Sequence, residues 1–174
     1  MIEVLVTIVV LAVGLLGLAA LQARLHLSEM EAYQRAQAMI LLDDMANRLA
    51  ANRNFAADYV TGTTGAVGAG MSCPTTSATL KQSDLREWCT ALQGAAEKIS
   101  TSKVGNMIGG RGCIETLGSN EYLITVAWQG MAAVSAPPAS VACGKDAYDG
   151  AAGSACVSDR CRRAVTTIVR IAPL

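Results

Sequence analysis

The sequence is poor in the residues on which soluble catalytic domains depend. It has one histidine, one phenylalanine and four prolines in 174 residues, and aromatics make up only 4% of it. It contains no Cys-x-x-Cys pair, no Gly-x-Ser-x-Gly, no phosphate-loop string and no cluster of carboxylates. Those absences remove the usual routes to metal-assisted, nucleophilic and nucleotide-dependent chemistry. Asp43 and Asp44 are adjacent, and neighbours on a helix point about 100° apart, so they cannot easily share one ion. No enzymatic activity, cofactor or metal site is therefore expected. Charge of one sign is lacking too, with 14 Lys and Arg against 14 Asp and Glu. A neutral chain has no overall attraction to nucleic acid, and 16% charged residues is too few for a disordered polyelectrolyte. The length suits one domain with a modest core.

What is present is aliphatic mass, unevenly placed. From Ile2 to Leu21 the chain reads IEVLVTIVVLAVGLLGLAAL, with Glu3 and Thr7 as its polar side chains. At roughly 1.5 Å per residue this is about 30 Å of helix, the thickness of a hydrocarbon core. A cleavable secretory signal would open on basic residues, whereas Arg24 is the first base here. A membrane span is the favoured reading. A carboxylate at bilayer depth costs roughly 2.5–3.5 kcal/mol and less near an interface. Glu3 therefore either meets a partner or lies at headgroup level, complementing the positive end of the helix dipole.

No proline occurs before Pro74 and no glycine between Gly17 and Gly62, so the helix can run on from the span to about Asn54. Met30, Tyr33, Ala38, Leu41, Leu42, Met45 and Leu49 form one apolar stripe in that second half. The spacing predicts one helix of roughly fifty residues, or about 80 Å. Residues 1–22 form its membrane and assembly half, 23–54 its amphipathic half, and 55–174 a globular head. The amphipathic half must dock on the head. Gly14 and Gly17 weaken the membrane half locally, which suits close helix packing or a site that can unwind.

The opening MIEVLVTIVVLAVGLLGLAALQ, followed by AMILLDDMANRLAANR, resembles the minor pilins of type IV pili, most of all the type IV pilus modification protein V group. The specific match covers about the first 55 residues. The resemblance implies a pilin fold, in which the long helix packs on an antiparallel sheet. It also implies a leader cut by a prepilin peptidase and a methylated new terminus, with this sequence beginning about two residues inside the mature chain. Glu3 matches the superfamily's signature carboxylate, whose implied role is to neutralise the terminal amine of a neighbouring subunit during assembly. The implied place is the bacterial inner membrane, with the head in the periplasm, and then the extracellular pilus. Implied partners are other minor pilins, the major pilin, a tip adhesin, the inner-membrane assembly platform and the lipid bilayer. Priming of assembly, twitching motility, adhesion and DNA uptake are the implied roles. A minor pseudopilin of a type II secretion system shares the same opening helix and is the alternative.

In the head, residues 54–79 read as a Gly-rich loop. A second helix follows, with Asp84 and Glu87 as a capping pair and Leu85, Trp88, Leu92, Ala96 and Ile99 on one face. Trp88 is read as a core anchor. Gly105, Gly109, Gly110 and Gly112 lead into a sheet. Its strands are 113–117, 121–129 and 162–171, the first two joined by a Gly118-Ser119-Asn120 hairpin loop. Arg160, Arg162, Arg163 and Arg170 are read as a solvated strand face, and nucleic acid is not an expected partner. The single histidine, His26, is placed in solvent just past the span.

Six cysteines, at 73, 89, 113, 143, 156 and 161, all lie beyond the span. An even number suggests disulfides in an oxidising compartment, and six allow fifteen connectivities. The expected bridges are Cys73 with Cys89 and one within the last cluster, where Cys143 with Cys156 or Cys161 would staple the 130–160 loop. In the resemblance, that stapled loop is the variable displayed region and the place for partner contacts.

Overall fold

The computed structural model describes residues 2–94, 98–99, 102–103 and 107–172. By contact the chain divides into two compact units, Met1–Tyr33 and Gln34–Leu174. Helix α1 runs Ile2–Ala51 without a break, 50 residues, as the lack of Pro and Gly from Leu18 to Thr61 allows. In the first unit its apolar side chains are exposed throughout, and the segment is long and apolar enough to cross a membrane.

In the second unit the buried face of α1 is Gln34, Ala38, Leu42, Met45 and Leu49, spaced by four, four, three and four. The expected stripe is thus corrected at its start: Met30 and Tyr33 are 48% and 44% exposed, and Gln34 lies in the buried row. A step of four back from Ala38 falls on Gln34, so the helical period, not the polarity of the residue, decides the position.

A 3-10 helix, Arg53–Tyr59, turns the chain, and the stretch read as loop also supplies a two-residue strand β1, Val67–Gly68. Helix α2 is Leu80–Leu92. It begins earlier than expected because Thr79 is its N-cap: the Thr79 hydroxyl accepts from the Gln82 amide while the Gln82 side chain reaches back to the Thr79 amide. Asp84 and Glu87 are therefore not the cap. The expected helical face ends at Leu92. Ile99 belongs instead to a short hairpin, β2 (Lys98–Ile99) with β3 (Ser102–Lys103). Ala96 and Gly105 lie outside the described residues.

The main sheet is antiparallel in the order β1-β4-β5-β6, with β4 at Arg111–Gly118, β5 at Glu121–Gln129 and β6 at Arg162–Arg170. Ser119 and Asn120 both have positive φ, 50° and 62°, and make the tight β4–β5 turn; Gly118 pairs with Glu121 beyond a bulge. Ile114, Tyr122, Ile124, Val126 and Trp128 from the sheet meet Leu42, Met45, Leu49, Leu85, Trp88 and Leu92 from the helices in one core. Trp88 is fully buried, and its indole N–H donates to the Leu41 carbonyl of α1 at 2.9 Å. The head is therefore an α+β layer of helices on an antiparallel sheet, consistent with a pilin-like fold.

Candidate functional site

Glu3 sits on the first turn of α1, exposed, with Val4, Leu5 and Val6 beside it also exposed. Its position suits interaction with the positive end of the helix dipole, and its side chain is available to an outside group. Gly14 and Gly17 leave α1 unbroken, and a methyl group on either would meet open space. His26 is exposed and its Nδ1 lies 3.3 Å from Glu29.

The head holds three disulfides. Cys73–Cys89 ties the loop before α2 onto that helix. Cys113–Cys143 and Cys156–Cys161 complete the set and leave no free cysteine. Cys73–Cys89 and a bridge within the last cluster, Cys156–Cys161, are as expected, but the staple from Cys143 to Cys156 or Cys161 is corrected to Cys113–Cys143. Cys143 is fully buried against β4 and β5, where Cys113 points to the outer sheet face opposite Thr125. Sequence proximity favoured a bridge inside the loop, but the sheet brings Cys113 to within a Cα–Cα distance of 5.8 Å. Cys156 and Cys161 then close a small ring of their own.

The stretch from 130 to 160 has no strand, yet it is tied down at many points. Asp149 accepts from the Ser158 and Asp159 amides, and Asp159 accepts from the Asp146 amide at 2.8 Å. Arg162, only 2% exposed, donates to Asp159 at 3.0 Å and to the Val141 and Cys143 carbonyls. Arg162 is therefore not part of a solvated basic face. Buried ion pairs of this kind hold geometry better than they add stability. Arg163 is half-buried and donates to the Ala132 carbonyl, whereas Arg160 and Arg170 are exposed as expected, Arg170 with Glu121 beside it at 2.7 Å.

A second polar node was not legible as such. Arg48 of α1 donates to Asp44, to Asp84 at 2.9 Å and to Glu87 at 2.8 Å. Tyr59 donates to the same Asp84 and accepts from Asn52. Burial works against the charge on Arg48, but hydrogen bonds to Glu87, Asp44 and Asp84 outweigh it and hold the guanidinium above its usual range. The Glu87 carboxyl is held below its ordinary value by the hydrogen bond and charge of Arg48. Burial, then the bond to Asp84, pushes the Tyr59 phenol up to about 12. The Asp84 and Glu87 spacing was the visible signal, and it resembled a cap because caps and interhelical pairs use the same residue types. This node clamps α2 and the 3-10 helix to the 34–51 part of α1; it is a structural device.

Among the described residues no group of three or more His, Cys, Asp or Glu could hold a metal ion. Chemically, what the chain offers is an exposed apolar helix with one early carboxylate, and separately a disulfide-tied α+β head. No family model matches the chain, and neither a curated protein nor a solved structure matches it.

Proposed function

We propose that the chain is a minor pilin of a type IV pilus, held in the inner membrane by the start of α1 and added from there to the filament. The observation that carries this reading is Glu3: one carboxylate on the first turn of an otherwise aliphatic, fully exposed helical segment. Two opposite charges meeting in low dielectric gain far more than in water, so pairing of Glu3 with a neighbour's terminal amine would set the axial register of an added subunit. An α+β head with three disulfides suits a periplasmic and then extracellular life. Other minor pilins, the major pilin, a tip adhesin, the assembly platform and the prepilin peptidase are the partners in this reading. Priming of assembly is the role, with motility, adhesion and DNA uptake downstream of it. The 130–160 stretch is the proposed contact surface, since side chains hydrogen-bond its backbone at several points while much of it stays exposed.

The test is the Glu3→Val variant in cells that cannot retract pili. It should fractionate with the membrane as the wild type does while its share in sheared pili falls at least tenfold. Incorporation at the wild-type level would refute the role of Glu3. Unchanged numbers of surface pili after deletion of the whole gene would refute the priming role.

A further inference from the structure

Four separate stretches of the head meet at one small pocket of about 280 Å³. Arg111, at the start of β4, and Lys145, in the stretch after β5, line it with Thr63, Thr64, Ala66 and Gly144. The pocket is built by a covalent tie. Cys113, two residues past Arg111, is bridged to Cys143, two residues before Lys145, and Ala66 packs with that bridge in a small buried cluster.

Arg111 is held in place from one side by an aromatic ring. Its guanidinium carbon lies 5.7 Å from the centroid of Tyr148, itself 5% exposed and fixed by donation of its hydroxyl to the Gly109 carbonyl at 2.9 Å. On another side the backbone of Gly70 comes close, such that a methyl there would stand 3.5 Å from Nη2. Yet the Arg111 Nε is buried and has no hydrogen-bond partner among the described residues. No carboxylate among the described residues pairs with Arg111 or Lys145. The contrast is with Arg48, Arg162 and Arg170, each of which has its acid in a chain that holds equal numbers of acids and bases.

Two positive side chains line one pocket with no carboxylate among the described residues paired to either, so an anion from outside the chain would supply the missing counter-charge. We propose that this pocket binds a tetrahedral oxyanion of the phosphate-monoester class. A planar Arg fork and a point-charge Lys together present two positive charges, which match a dianion; a single carboxylate would leave one cation uncompensated. Thr63 and Thr64 are part of the wall, and the volume leaves room for a compact organic group on the phosphate. The phosphate can belong to a small free ester or to a lipid headgroup, and the chemistry of recognition is the same.

Titration of the full chain in non-ionic detergent micelles tests this, followed by calorimetry and by amide shifts of residues 63–64 and 142–145. The probes are inorganic phosphate, glycerol phosphate, acetate, and micelles doped with phosphatidic acid. Saturable phosphate or glycerol phosphate binding, at least tenfold tighter than acetate and about tenfold weaker in both Arg111→Gln and Lys145→Gln, is the expected result. Saturation only by the doped micelles, with the same loss in both variants, would also support the site and assign it to a headgroup. Lys145 is exposed, so its variant tests the pocket without threatening the fold. Absence of saturable binding to any phosphate probe, or binding unchanged in both variants, would overturn the proposal.

Discussion

Gly112 lies directly under the indole of Trp88: a methyl group added at Gly112 would stand 2.2 Å from Cη2 of the ring. Gly112 is on β4, paired with Val67 on one side and Val126 on the other, so its backbone cannot retreat. The ring cannot retreat either, being fully buried and hydrogen-bonded through its N–H to Leu41. The missing side chain is what lets α2 approach the sheet closely enough for Trp88 to bridge both helices and β4.

Gly112→Ala should therefore destabilise the head by about 2–3 kcal/mol, the upper part of the range of about 1–3 kcal/mol for overpacking a close-packed core. The urea midpoint should fall with the m-value unchanged, and near-ultraviolet circular dichroism should report a shifted tryptophan environment. A midpoint within error of wild type would show that the ring has room to move.

The Arg48 node links stability to acid. Glu87 is held below its ordinary value of 4.5, chiefly by its hydrogen bond from Arg48, so its folded form binds protons less tightly than its unfolded form. Its contribution is present above pH 4.5 and is lost as pH falls through the lower folded value. The side chain is half exposed, so the effect is small. Wild type should lose more stability between pH 6 and pH 3 than Glu87→Gln does, in parallel denaturation series. Identical acid dependence of the two proteins would exclude this link.

The three disulfides should differ in worth. They close stretches of 30, 16 and 5 residues, for Cys113–Cys143, Cys73–Cys89 and Cys156–Cys161 in turn. The chain-entropy account then gives about 3.6, 3.1 and 2 kcal/mol respectively. Paired Cys→Ala variants, compared by thermal and urea unfolding, should rank in that order. Removal of Cys113–Cys143 should also weaken phosphate binding, whereas removal of Cys156–Cys161 should cost the least stability of the three.

Local chemistry alone determined much of this protein. The continuation of α1 to Ala51 follows from the lack of Pro and Gly after Gly17, and β5 at Glu121–Gln129 follows from large apolar residues at every second position, Tyr122, Ile124, Val126 and Trp128, entered through a turn. The separation of an aliphatic rod carrying one acid from a cysteine-bearing head was likewise readable, because hydropathy and charge are properties of the chain itself. Cys73 and Cys89 flank one short loop, so their bridge was also within reach of the sequence.

What tertiary structure alone decided is which distant groups meet. Arg162 reads as a strand-face cation, yet folding buries it against Asp159 and two carbonyls, since the 130–160 stretch closes over that end of the sheet. Asp84 reads as a helix cap and becomes the shared partner of Arg48 and Tyr59, 36 and 25 residues away in sequence. Cys143 passes over its nearer neighbours for Cys113, and Arg111 and Lys145 come to one pocket as a consequence. Periodicity carries information over one or two helical turns. Pairing across the sheet depends on how whole elements pack, and no local pattern encodes that choice.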